Sequence, residues 1–286
     1  FTDAESGSFT VKSGKNSVMG AFTSENRNIE TTLNGAEEKA NVIKLMFVVD
    51  VTGSMGDEFD YLTNELADVI GRVAANDEQT KIDLAFLFYR DDEDQEKFSY
   101  VDFINVNDQT GLETQRQKLA KQRASGGGDY PEAVDEALEL AVSRNWGEEN
   151  ATRLIFHILD APPHEQAENK TRYEKAVKDA AAKGIRINPI LCSGADTLCE
   201  YLVRQEAIFT AGTFIYVTDH SGIGNSPRDP DVPNAVVEKL NDMLVRLING
   251  YHTGTFAEPE PWQGQGQTQP TPPVTTDETA KTDKTE

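Results

Sequence analysis

The sequence predicts a layered α/β domain with a Rossmann-like, mainly parallel central sheet and helices on both faces. Three observations carry this reading. Short apolar runs at 41–49, 81–90, 152–159 and 185–191 have the length and continuity of strands buried on both sides. Stretches with helical spacing lie between them, so strands and helices alternate as βαβ units. Two of the runs end in a carboxylate, Asp50 and Asp160, and open α/β sheets bind ligands beyond the carboxyl ends of their strands.

Taken in order, residues 1–39 are rich in Ser, Thr, Asn, Gly and Glu, and read as an extended lead-in with an edge-strand pattern around Phe9-Thr10-Val11. The main domain is predicted over 40–252. Its first strand, 41–49, is followed by a helix from Asp57, with Phe59, Leu62, Leu66, Val69, Ile70 and Val73 on one face. Asp57 and Glu58 fall in the first turn, where the helix dipole favours negative charge. A doubly buried strand at 81–90 precedes the acidic loop DDEDQE. Residues 98–106 then alternate like an edge strand or hairpin partner, and 111–122 form a polar helix.

The loop SGGGDY, 125–130, leads to a helix over 132–142 with Pro131 at its first position and Ala133, Ala137, Leu140 and Ala141 inward. A strand at 152–159 ends at Asp160, and APPH breaks the chain. A helix at 171–183 is closed by Gly184. A strand at 185–191, a helix at 197–210 and a short strand at 212–217 follow. After a long loop at 219–231, a last helix at 234–249 turns Val236, Val237, Leu240, Leu244, Leu247 and Ile248 inward. The tail, 253–286, is expected to be disordered. From residue 257 on it holds five of the chain's 12 prolines and almost no aliphatics, too little apolar surface to offset ordering.

Composition narrows the function. With 27 basic against 49 acidic residues, the net charge is −22, which repels phosphate backbones and anionic membranes. Nucleic acid is therefore excluded as a partner, while cations and basic surfaces suit the chain. No apolar run reaches the length of a transmembrane segment. The chain starts at Phe1 and not Met, which fits a processed N-terminus and a secreted, periplasmic or cell-surface location. Cys192 and Cys199 leave two readings open: a small disulfide loop of an oxidising compartment, or two buried thiols.

The chemistry concentrates in VIKLMFVVDVTGSMG, 42–56. A buried strand delivers Asp50, Thr52 and Ser54, at every second position, to a glycine-bearing turn that opens a helix. One carboxylate and two hydroxyls suit a hard divalent cation. The triple-glycine loop adds Asp129 and Glu132, and allows close backbone approach. The third loop adds Asp160, otherwise a turn cap.

Asp50-x-Thr52-x-Ser54 resembles the Asp-x-Ser-x-Ser motif of the metal-ion-dependent adhesion site (MIDAS) of von Willebrand factor type A (vWA) domains, with Thr keeping the hydroxyl. The GGGDYPE loop is similar to the Asp-x-Pro-Glu loop of the integrin β inserted domain and of hemicentin-like vWA domains. Together with DAPPH and the loop after the last strand, it looks like bacterial vWA lipoproteins or secreted proteins. The resemblance covers about residues 42–250. It implies metal ligands Asp50, Thr52, Ser54 and Asp160, the last through water, with Glu132 or Asp129 in place of a Thr and Ser125 as a weaker candidate. It implies Mg²⁺, with Ca²⁺ or Mn²⁺ open, and a protein or glycan partner whose carboxylate completes the shell. Asp57, Glu58 and Asp91 fall where the integrin β pattern has further cation ligands.

Other readings compete. The non-enzymatic reading is preferred, but Ser54 sits on a strand–turn–helix like a hydrolase nucleophile, with His164 and His220 on loops at the same sheet end. The G-x-S-x-G motif lacks its first glycine. A dinucleotide site is excluded because DVTGSMG replaces G-x-G-x-x-G. The two cysteines lack zinc spacing. An intracellular assembly subunit working with a chaperone-like ATPase is the main alternative.

Overall fold

The computed structural model describes residues 5–13, 16–26, 29–32, 40–77, 79–147, 150–217 and 236–261. The lead-in is a hairpin, β1 (Ser6–Ser13) and β2 (Asn16–Thr23), paired antiparallel in a two-stranded sheet of its own rather than along an edge of the main one. Phe9 lies over Gly20, and Phe22 over Gly7, each ring filling the space opposite a residue with no side chain.

The main sheet grows from β3 (Val42–Asp50), all nine of whose residues are buried. The chain continues through a 3₁₀ turn, Gly53–Met55, into α1 (Gly56–Asn76), then β4 (Lys81–Tyr89), β5 (Phe98–Asn105) and α2 (Gln109–Leu119). After α3 (Val134–Ser143) come β6 (Ala151–Leu159), α4 (Ala167–Ala182), β7 (Ile185–Leu191), α5 (Thr197–Thr210), β8 (Ile215–Tyr216) and α6 (Leu240–Thr253). The strand order is β5-β4-β3-β6-β7-β8. All neighbours are parallel except β5, which closes one edge antiparallel to β4.

Alternation along β3 builds two cores. Ile43, Leu45, Phe47 and Val49 face one layer, with Phe59, Leu62, Leu66 and Ile70 of α1 and Leu244, Leu247 and Ile248 of α6. Met46 and Val48 face the other, with Leu138 of α3, Val177 of α4 and Val203 of α5. Every predicted inward residue of α1 is buried. Direction reverses after β5, when the chain returns to lay β6 against the free side of β3. The carboxyl ends of β3 and β6 therefore lie side by side at the crevice where such sheets bind ligands.

Several boundaries differ from the sequence reading, among them the start of α4, at Ala167 rather than 171. α3 starts at Val134, so Pro131 and Glu132 stay outside it. Glu132 instead donates its N–H to Pro162 O at 3.0 Å and bridges to Pro163, which keeps the turn extended. α6 starts at Leu240, not near 234, and Val236 is exposed. The buried Glu238 carboxylate receives the Arg246 guanidinium at 2.9 Å from Nε, which holds the segment ahead of the helix out of helical geometry. The last strand shrinks to Ile215–Tyr216. The two thiols are free, because Cys192 packs in the core on one side of the sheet and Cys199 in the core on the other. The predicted loop at 219–231, with His220, and the tail from 262 lie outside the described residues.

Candidate functional site

Asp50 is the last residue of β3 and is fully buried. The strand leaves the sheet at Val51, whose N–H bonds Tyr89 O at 2.9 Å, and the turn folds Thr52 back over Asp50. Thr52 donates its backbone N–H at 2.9 Å and its hydroxyl at 2.7 Å to Asp50 Oδ1. The Thr52 and Ser54 hydroxyl oxygens are 3.3 Å apart, so the alternate-residue spacing does bring all three side chains to one point. Asp160 lies just past β6 and is buried, with the Ser54 hydroxyl near enough to lower its pKa.

The triple-glycine loop is tied over this turn by its backbone. Gly53 donates to Gly126 O at 3.1 Å, and Ser125 to Val51 O at 2.9 Å. Arg90, the residue after β4, spreads its guanidinium over three carbonyls, Ser125 O at 2.9 Å, Glu96 O at 2.9 Å and Arg123 O at 2.8 Å. Asp94 accepts from Gly127 N at 2.9 Å. Gly127 has φ +75°, and a Cβ there would stand 2.8 Å from Glu132 Oε1 and 3.1 Å from Thr52 Cβ. That glycine lets Glu132 and Thr52 share one side of the loop.

Glu132 is buried and feels the charges of Asp50 and Asp160. Asp129 is exposed and its charge is felt at His164. Ser125 is exposed too and takes part through its backbone. Burial, then the Asp160 charge, raises Asp50 to about 7, against the Thr52 hydrogen bonds and Arg90. Burial, then Asp50, Asp91, Asp160 and Asp94, lifts Glu132 to about 9. Asp160 is raised by burial and held back by Ser54. Asp50 Oδ2 and Glu132 Oε2 are buried with no hydrogen-bond partner. Two orphaned carboxylate oxygens in a cluster of like charge fit an all-oxygen cation site.

Of the other predicted groups, the side chain of Asp57 lies outside the described residues. Asp91 is buried and takes His164 Nε2 at 2.7 Å, while Asp92 pairs with Lys97. Asp91, Asp92 and His164 lie close enough to ligate one ion, but these pairings already engage them. Glu58 is buried on α1. Among the described residues no hydrogen bond joins Ser54 to a histidine. His157 is a core residue between Glu206, 2.9 Å away, and the Tyr89 hydroxyl at 3.3 Å.

Two site residues escaped sequence reasoning. Arg90 gave one signal, a lone cation ending a buried strand ahead of an acidic loop. Tyr130 gave none. It is exposed, donates its hydroxyl to Asp160 O at 3.3 Å and accepts from Asp196 N at 2.6 Å, linking the glycine loop to the start of α5.

Known proteins similar to this chain include the following. The α-protein kinase vwkA of Dictyostelium discoideum is 30% identical over 148 residues, which are 49% of this chain and 22% of the relative. The chain thus spans under a quarter of that protein's length. A conserved hypothetical protein BatB of Bacteroides thetaiotaomicron is similar in structure at TM-score 0.45 and 16% identity, over 61% of this chain and 90% of that one. An aerotolerance-related membrane protein of Bacteroides fragilis is similar at TM-score 0.45 and 14% identity, over 72% and 98%. Among the described residues, no helix is long and apolar enough to cross a membrane. The family model described as "von Willebrand factor A domain" matches residues 44–216, more than half of the chain, and the chain belongs to that family.

Proposed function

We propose that this domain is a metal-dependent protein-binding module. A divalent cation, Mg²⁺ or the similar Ca²⁺ or Mn²⁺, is held by Asp50, Thr52, Ser54, Glu132 and Asp160, and a carboxylate of the partner completes its shell. Family membership supports a protein-interaction role in general. The observation that carries the metal reading is the pair of buried, unpartnered oxygens, Asp50 Oδ2 and Glu132 Oε2, inside a cluster of acids that burial and mutual repulsion keep hard to ionise.

The chain's own residues have clear tasks in this reading. Thr52 fixes the Asp50 carboxylate through Oδ1, which leaves Oδ2 to face the ion. Ser54 and Thr52 give neutral oxygens, so positive charge remains for an incoming anion. Asp160 orients the Ser54 hydroxyl. The bound ion supplies a Lewis-acid position for the partner's carboxylate. In this reading Ser54 is a ligand and not a nucleophile, and the domain is not an enzyme. A surface or periplasmic setting goes with the proposal, as against an assembly subunit of an ATPase.

The test is calorimetry of Mg²⁺ binding to the wild type and Asp50→Ala, beside a pull-down from the native source in Mg²⁺ and in EDTA. Metal-dependent capture that Asp50→Ala abolishes supports the reading. Unchanged Mg²⁺ affinity in Asp50→Ala overturns it. Labelling of Ser54 by a fluorophosphonate would move the assignment to a hydrolase.

A further inference from the structure

Beside the site, α4 and α5 part to leave an apolar groove of about 450 Å³. Pro163 and His164 are among its lining residues, in the same β6–α4 loop whose backbone holds Glu132. Tyr173, Val177 and Leu202 line it, and Tyr201 and Phe209 stand at its side, 59% and 39% exposed. Large apolar side chains left this open along one groove are costly unless they are used.

Resting on the metal-dependent reading above, we infer that this groove receives the partner that supplies the carboxylate. The occupant is an extended polypeptide segment with a large apolar or aromatic residue a few positions from its metal-completing Asp or Glu. Two observations select this occupant. Pro163 bridges to Glu132 of the candidate site and also lines the groove, so a chain held at the ion has a short path into it. Charge also favours an acidic partner along this path. The whole chain carries −22, yet α4 has four cations, Lys170, Arg172, Lys175 and Lys178, against three acids. Lys170 and Lys178 line the groove, paired with Glu165 and Glu174, and all four of these side chains are exposed, so their pairings are readily exchanged. α1, on the opposite face, has five acids and one cation. An acidic segment leaving the site thus meets less repulsion along α4 than along α1.

The test uses two sets of short synthetic peptides, each with one Glu. One set carries a Leu-Phe pair at varied spacing from the Glu; in the other, Gly-Ser replaces the pair. Each is titrated into ¹⁵N-labelled protein in excess Mg²⁺ and again in EDTA. The best Leu-Phe peptide is expected to bind at least ~10-fold tighter than its Gly-Ser twin, the scale of burying one large apolar side chain. Its amide shifts should run along α4 and α5. The exposed-site double variant Tyr201→Ser/Phe209→Ser should erase the difference while leaving Mg²⁺ affinity and Gly-Ser peptide binding as they were. Equal, metal-dependent binding of both peptides overturns the groove inference and leaves the metal reading standing. Binding of the Leu-Phe peptide that is unchanged in EDTA overturns the link between groove and site. A protein that binds neither Mg²⁺ nor any peptide overturns both.

Discussion

Thr52 donates to a single oxygen of Asp50 twice, from its N–H at 2.9 Å and its hydroxyl at 2.7 Å, and the other oxygen is buried with no hydrogen bond. The carboxylate is thus fixed in direction and left unsatisfied at one end. A buried charge without a counter-charge destabilises the fold, and a ligand bound only by the folded state restores stability. Asp50→Asn removes the charge and keeps the acceptor. In EDTA near pH 8 its melting temperature should equal or exceed that of the wild type. Mg²⁺ should raise the wild-type value by several degrees and leave the variant's unchanged, with Mg²⁺ affinity at least ~10-fold weaker by calorimetry. A variant that responds to Mg²⁺ as the wild type does contradicts the assignment.

The same cluster sets a pH dependence for the metal-free protein. Asp50 is raised to about 7 and Glu132 to about 9, while the unfolded chain keeps ordinary carboxylates. Over the interval between, the folded state holds protons that the unfolded state has released, so stability falls as pH rises. The contribution is complete below the ordinary carboxylate range and is lost through about 7 for Asp50 and about 9 for Glu132. Thermal melts in EDTA from about pH 5 to about pH 9 should fall steadily, and Mg²⁺ should flatten the upper part of the curve. A melting temperature that rises over this range in EDTA would rule the protonated cluster out.

Gly127 and Gly128 are adjacent but not equivalent. A Cβ on Gly127 meets Glu132 Oε1 at 2.8 Å and Thr52 Cβ at 3.1 Å, on a backbone at φ +75°, whereas one on Gly128 meets nothing within 4 Å. Gly127→Ala should cost about 1–2 kcal/mol from the left-handed backbone alone, and should weaken Mg²⁺ binding by displacing Glu132. Gly128→Ala should leave both properties near wild type. Denaturant unfolding and calorimetry of the pair separate a local effect at Glu132 from general stiffening of the loop, which would affect both variants alike.

Much of this arrangement was legible because it depends on period and sequence distance. The β3 run, the α1 stripe from Phe59 to Val73 and the convergence of Asp50, Thr52 and Ser54 follow from alternation and helical spacing. The choice between Asp129 and Glu132 was not readable, since both are acids in one loop. The burial of Glu132 goes with its backbone pairing to Pro162 and Pro163, residues 30 and 31 positions away, while Asp129 stays exposed. The false starts of α3 and α6 have a similar origin: residues with helical pattern are drawn into long-range contacts, Glu132 to β6's loop and Glu238 to Arg246. The state of the cysteines depended on which core each entered, and a spacing of seven carries no information on that.

Arg90 holds the glycine loop through geometry that charge alone does not reproduce. Its three nitrogens reach Ser125 O, Glu96 O and Arg123 O at 2.8–2.9 Å, and the residue is 7% exposed. Lysine keeps the charge but has no planar fork, and at least two of these carbonyls lose their donor. Arg90→Lys should therefore cost about 2 kcal/mol in stability. The loss should also reach the site, because Ser125 N–H to Val51 O and Gly53 N–H to Gly126 O depend on the loop staying down. Hydrogen exchange at the amides of Gly53 and Ser125 should quicken markedly while that of the β7 amides holds, and Mg²⁺ affinity should drop with it. Exchange that quickens equally across the sheet would make Arg90 a residue of general stability and not the clamp of this loop.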